Sequence, residues 1–273
     1  MSEPESRAAE VLAELPRWLW DGRSLPVPVE DIADSHFGLH VCETDDLAAI
    51  PGAPALADGE ALSGLLVVDA EEIWVNAHEA AASPGRRRFT IGHELGHWVL
   101  HRTPHGRVFC RSHAVTLEPP PRPDVPDIEE EASRFAGALM FPDALVRAEW
   151  ERTGGDLAAL CERFGSSRVA TERAVFRVVR GPEVRESAPG LACFYWDDAA
   201  YEEWRAAHPD GFVVNDDLGD PGGARLHRLS CSYLRGPVRD GRPRTSAPKW
   251  CATDSDELRR AFPRALACGR CRP

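Results

Sequence analysis

The sequence predicts an α+β protein: a core with a small twisted sheet and several helices, then a paired-helix segment, then a small cysteine-rich C-terminal module. Three observations carry that expectation. Runs rich in Val, Ile and Leu at 62–69 and 72–76 have strand character, whereas 5–20, 88–101 and 128–140 place apolar residues at helical spacing. Four of the eight cysteines crowd into residues 231–271. Charge divides in the same way: residues 225–273 hold 12 Lys and Arg against 4 Asp and Glu, a net of +8, in a chain of net -12. The first 224 residues therefore carry -20, and the opposite signs point to separate modules.

Taken in order, residues 5–20 read as a helix through Ala8, Val11, Leu12 and Leu15. Leu25 to Val29 holds two prolines and connects; 28–36 reads as a short helix and 38–41 as a strand. Residues 50–60, rich in Pro, Gly and Ala, are a loop. Leu62 to Asp69 and Glu72 to Asn76 form a strand pair around Ala70-Glu71, and the strand ending at Asn76 is expected to offer an edge to an extended peptide. Ser83 to Arg87 is a turn and Arg88 to His101 a helix. Five prolines within 118–127 exclude a helix or central strand there. Ile128 to Met140 is helical, and Pro142 suits the first position of the next helix. A pair at 156–164 and 168–180 flanks Gly165-Ser166-Ser167; strands follow at 191–196 and 211–215, and the last 50 residues read as loop-rich. The expected domains are 1–150, 151–190 and 191–273.

The composition, 43% hydrophobic with 28% charged residues, is that of a globular chain. No run approaches the roughly 18–20 apolar residues of a membrane span. Met1 to Glu10 is acidic and polar, unlike a signal peptide, so the expected compartment is the cytoplasm.

The chemistry lies in His93-Glu94-Leu95-Gly96-His97. On a helix, residues i and i+4 share a face, so both imidazoles reach one metal ion. Glu94 turns about 100° away, which sets its carboxylate beside the ion as a general base for water. Ile91, Leu95, Trp98 and Val99 anchor the helix in the core, and Gly96 admits a close neighbour. Zinc hydrolysis needs a third protein ligand. A third histidine six residues after His97 is ruled out, because Thr103 stands there. His101 continues the spacing, but three turns of a straight helix cannot converge on one ion, so it packs or supports. Carboxylates on a second helix remain, and Glu129-Glu130-Glu131 opens the helix at 128–140.

Three stretches resemble the ImmA/IrrE metallopeptidases of bacteria and their mobile elements: RFTIGHELGHWVLH at 88–101, EEEASRFAGALMFP at 129–142 and SGLLVVDAEEIWVN at 63–76. LPVPVEDIADSHFGLHV at 25–41 fits the start of that family, and the resemblance spans roughly residues 5–180. It implies a zincin-like core and a cytoplasmic endopeptidase of bacterial origin that cleaves a helix-turn-helix transcriptional repressor, releasing stress, mobile-element or defence genes. The family pattern E-x-x-A-N-x-F-A draws its third zinc ligand from its first Glu, which maps to Glu129; Ser133 replaces the Asn, with a weaker hydrogen bond to a ligand expected. Residues 157–179 resemble the helix-turn-helix-like segment that follows the protease core, with helices bracing that core as the plainer reading. The alternative function is a non-proteolytic zinc-containing regulator that binds DNA or a repressor.

The C-terminal pattern His227-x3-Cys231, Cys251, Cys268-x2-Cys271 has the spacing of a closed structural zinc site. The expected ligands are His227, Cys231, Cys268 and Cys271, with Cys251 the alternative to His227. LHRLSCSYL and ACGRCRP resemble the zinc module of the Ada DNA-repair protein. His227 stands where that module has its methyl-accepting Cys, so repair chemistry does not carry over. The net charge of +8 suits contact with DNA or another acidic partner, and equally pairing with the acidic body of the chain. Cys110, between His105 and His113, is expected on a plain loop.

Overall fold

The computed structural model describes residues 2–54, 60–102, 108–114, 128–218, 223–235 and 242–273; at 60, 61 and 108–114 the description is of the backbone alone. Two compact units result, Met1–Ala174 and Val175–Pro273. The proline-rich 118–127 lies outside the described residues.

The first unit opens with α1 (Glu3–Glu14), capped reciprocally by Ser2 and Glu5. It ends short of the predicted residue 20 because Pro16 drives Leu15 out of the helical region, to φ -64° and ψ 132°. The short α2 (Val29–Asp31) runs into a π-helical turn at Ile32–His36. A four-stranded sheet follows from β1 (His40–Thr44), β2 (Glu60–Val67), β3 (Glu72–Asn76) and, after two helices, β4 (Val108–Ala114). Glu71, at φ 56°, turns β2 into β3, and Leu65 stands opposite Trp74 and Leu66 opposite Ile73.

The strand order is β1-β3-β2-β4, with β1 parallel to β3 and the other pairings antiparallel. This overturns one expectation. β3, which ends at Asn76, is paired on both sides and cannot accept a peptide at an edge; among the described residues, β4 occupies the edge beside β2. A second correction concerns Cys110, which lies in β4 opposite Leu65 and not on a loop. An edge strand is held by backbone pairing on one side only, so it needs no clean apolar alternation, and Val108 to Ala114 shows none.

Between β3 and β4 come α3 (Ala77–Ala82) and α4 (Pro84–Leu100). The latter begins a turn before the predicted Arg88, since the Ser83 side chain accepts from the Arg86 N–H and Pro84 fits the first position. α5 (Ile128–Met140) has its predicted bounds. α6 (Asp143–Thr153) takes Pro142 as its N-cap, one place before the expected position. α7 (Leu157–Phe164) ends on the left-handed Gly165, at φ 56°. α8 (Arg168–Val175) follows, and its hydroxyl-bearing Thr171 bonds Cys161 and Ser166 across the turn.

α4 and α5 meet along a seam of small residues. A Cβ on Gly96 would lie 2.8 Å from Cα and 2.9 Å from the carbonyl oxygen of Ala132, and one on Gly92 would lie 3.4 Å from Cβ of Ala136. The pairs 92/136 and 96/132 run in opposite senses, so the helices are antiparallel. Gly96→Val is therefore expected to cost about 1–3 kcal/mol through overpacking against backbone, with weaker zinc binding. Gly137→Ala, in α5 with nothing within 4 Å of its would-be Cβ, should instead gain about 0.5–1 kcal/mol. Thermal unfolding of both variants checks the pair; equal behaviour would refute the seam.

The second unit continues through a π-helical turn (Phe176–Arg180) into α9 (Gly181–Ser187). Its five-stranded sheet contains β5 (Ala192–Phe194), β6 (Phe212–Asn215), β7 (Arg225–Arg228), β8 (Lys249–Ala252) and β9 (Leu266–Ala267), in the order β5-β8-β6-β7-β9. α10 (Asp198–Ala207) follows β5, and α11 (Ser255–Ala261) lies between β8 and β9. Trp250, Val214, Leu226, Leu258 and Phe262 build the core. The last 50 residues thus hold three strands and a helix where a loop-rich tail is predicted; each strand is four residues or fewer, too short for periodicity to register.

Candidate active site and metal centres

Ile91 and Leu95 bury one side of α4 completely, which turns His93 and His97 together toward α5. Their Nε2 atoms stand 3.1 Å apart. From α5, Glu129 sets Oε2 at 3.1 Å from Nε2 of His93 and Oε1 at 3.2 Å from Nε2 of His97. A tetrahedral ion with ligand bonds of 2.0–2.1 Å has edges of roughly 3.3 Å between donor atoms. Two imidazole nitrogens and a carboxylate converging at that spacing fit zinc. Burial works to raise the Glu129 carboxyl, but hydrogen bonds and charge from His93 and His97 outweigh it and hold it at about 2. The group is thus anionic at neutral pH. It is also the most exposed of the three, with the histidines nearly inaccessible.

The far side of each imidazole is held too. Nδ1 of His93 is 3.1 Å from Oγ of Ser133, so the Ser in place of the family's Asn keeps a hydrogen bond in reach. Nδ1 of His97 is 3.1 Å from Nδ1 of His101, whose Nε2 lies 2.8 Å from Oε2 of Glu131. With Nε2 of His97 turned to an ion, its Nδ1–H donates to His101, and the Nε2–H of His101 donates to Glu131. Each member fixes the tautomer of the next. His101 thus supports His97, and Glu131 is its anchor.

Glu94 is wholly buried, on a different side of α4 from the two histidines. Its carboxylate rests against β2 at Gly64, where a Cβ would lie 2.8 Å from its Oε1 and also strike Cγ2 of Thr90. Gly64 is not among the residues singled out from the sequence above. An isolated glycine inside a strand was the available signal, since it marks a place where something approaches the backbone closely.

The C-terminal residues His227, Cys231, Cys268 and Cys271 also come together, with ligand atoms all within 4.8 Å of one another. Cys251 is not in that group. It sits inside β8, its Sγ directed to the carbonyl of Lys249 at 3.9 Å, and burial pushes its thiol well up. The side chain of Cys110 lies outside the described residues.

A histidine-bearing helix crossed by a carboxylate-bearing helix, beside a small mixed sheet, defines a zincin-like metallopeptidase. Residues 35–176 match the family model Peptidase_M78, the IrrE N-terminal-like domain. The chain belongs to this metallopeptidase family, as its resemblance to ImmA/IrrE proteins implied. A comparison with curated proteins finds no match. Among the described residues, no helix is long and apolar enough to cross a membrane.

Proposed function

We propose that the protein is a zinc-dependent endopeptidase acting on a helix-turn-helix transcriptional repressor. The observation that carries the reading is the convergence of His93 and His97 from α4 with Glu129 from α5 at zinc-like spacing, with Glu94 on the helix of the two histidines. When bound, zinc polarises a scissile carbonyl and acidifies a water molecule. Glu94 takes the proton of the attacking water and delivers it to the leaving nitrogen. His93, His97 and Glu129 hold the ion, while Ser133, His101 and Glu131 orient the two imidazoles. The edge strand β4 suits an extended substrate segment, whose backbone would add to the sheet. A repressor substrate places the enzyme in the cytoplasm.

The test is incubation of the zinc-loaded full chain with repressors encoded beside its gene. Discrete cleavage of one of them is expected, abolished by a chelator and restored by zinc. Cleavage unaffected by chelation would refute the zinc mechanism, and failure on every neighbouring repressor would refute the substrate class.

A further inference from the structure

We propose that His227, Cys231, Cys268 and Cys271 form a second, closed metal site in the C-terminal unit, which takes zinc as a structural ion. All four residues lie outside the part matched by the peptidase family, and the proposal stands independently of the peptidase reading.

The topology brings the four together. His227 is the third residue of β7, and Cys231 lies in the turn just after that strand, where its N–H donates to the carbonyl of Arg228. β9 pairs in parallel with β7, and the N–H of Cys268 extends that ladder to the carbonyl of Leu226 at 2.9 Å. The chain then turns back on itself, with Arg272 at φ 44° donating its N–H to the carbonyl of Cys268. That turn carries Cys271 to the same point, where its Sγ accepts the Arg228 N–H at 3.3 Å.

The spacing selects a metal over a disulfide. Sγ of Cys231 and Sγ of Cys268 are 4.0 Å apart. A disulfide needs about 2.05 Å, whereas a tetrahedral zinc with bonds of about 2.3 Å sets sulfur atoms roughly 3.8 Å apart. His227, Cys231 and Cys268 are buried, and Nδ1 of His227 has no hydrogen-bond partner there. A polar atom left bare inside a protein is costly, and a cation is a partner that an imidazole nitrogen can take. Three thiols beside that imidazole are the donor set of a borderline-soft cation.

Four protein donors fill a tetrahedron and leave no place for water or substrate, so the site is structural. β9 has only two residues, and an ion joining its end to β7 would supply what so short a ladder lacks.

Cobalt in place of zinc separates the two sites within one full-length protein. The site on α4 and α5 has only nitrogen and oxygen donors, so a thiolate-to-cobalt charge-transfer band can come only from cysteine ligation. The cobalt protein should show the band; Cys268→Ser with Cys271→Ser should lose it, while His97→Ala should keep it. Zinc content should fall from about two ions per chain to about one in either variant. Should the double variant fail to fold, alkylation of the unaltered protein decides. Cys231, Cys268 and Cys271 should be protected together when zinc is bound and react together after chelation. No thiolate band in the cobalt protein, a band lost on Cys251→Ser, or alkylation of the three cysteines indifferent to chelation would overturn the proposal.

Discussion

Glu94→Gln is expected to slow repressor cleavage by about 10²–10⁴-fold, the usual range for removing a general base, with zinc content and thermal stability unchanged. Glu94 is not among the three convergent donors, so the ion does not depend on it. Glutamine has the same shape, so the tight fit against Gly64 and Thr90 persists. What disappears is the capacity to accept a proton. Single-turnover cleavage alongside zinc analysis reads both halves of the expectation. Undiminished cleavage would remove Glu94 from the chemistry. If derepression in cells survives the change in full, the chain regulates by binding and not by cutting.

The second large effect separates three consecutive glutamates. Glu129→Ala is expected to weaken zinc binding by more than about 100-fold, because it removes a donor and its charge, exceeding what loss of a supporting group costs. Glu131→Gln should cost less, about 10–100-fold, through a looser His101 and hence a looser His97. Glu130→Gln should leave zinc affinity unchanged. Competition with a chromophoric chelator ranks the three, and activity at saturating zinc shows whether the Glu131 defect is one of affinity alone. Restoration of Glu131→Ala by Asp, but not by Leu, would separate a hydrogen-bond anchor from simple packing. A larger loss at Glu130 than at Glu129 would reassign the site.

The helix carrying His93, Glu94 and His97 was legible because its spacing alone determines which side chains share a face. Glu129 was not legible in that way: the residues left three glutamates open, and the family resemblance chose among them. The supporting chain from His97 through His101 to Glu131 depends on how α5 crosses α4, which local sequence does not encode. β4 was hidden because its stability comes from pairing with β2 and not from its own side-chain pattern. The strand ending at Asn76 misled for a related reason: its residues suit any strand, but β1 closes the edge expected to be open. In the second unit, cysteine spacing pointed to the cluster around His227, while the short strands that deliver it left no periodic trace.

The glycine seam between α4 and α5 has a consequence for how this centre tolerates change. Gly92 and Gly96 each precede a histidine by one residue, and Ala132 precedes Ser133 in the same way. Close approach and ligand placement are therefore set by the same contact between the two helices. A side chain that merely widens the gap would part His93 from Ser133 and His97 from Glu129 together. Loss of zinc on heating should then be abrupt, set by separation of two rigid rods and not by the successive release of three ligands.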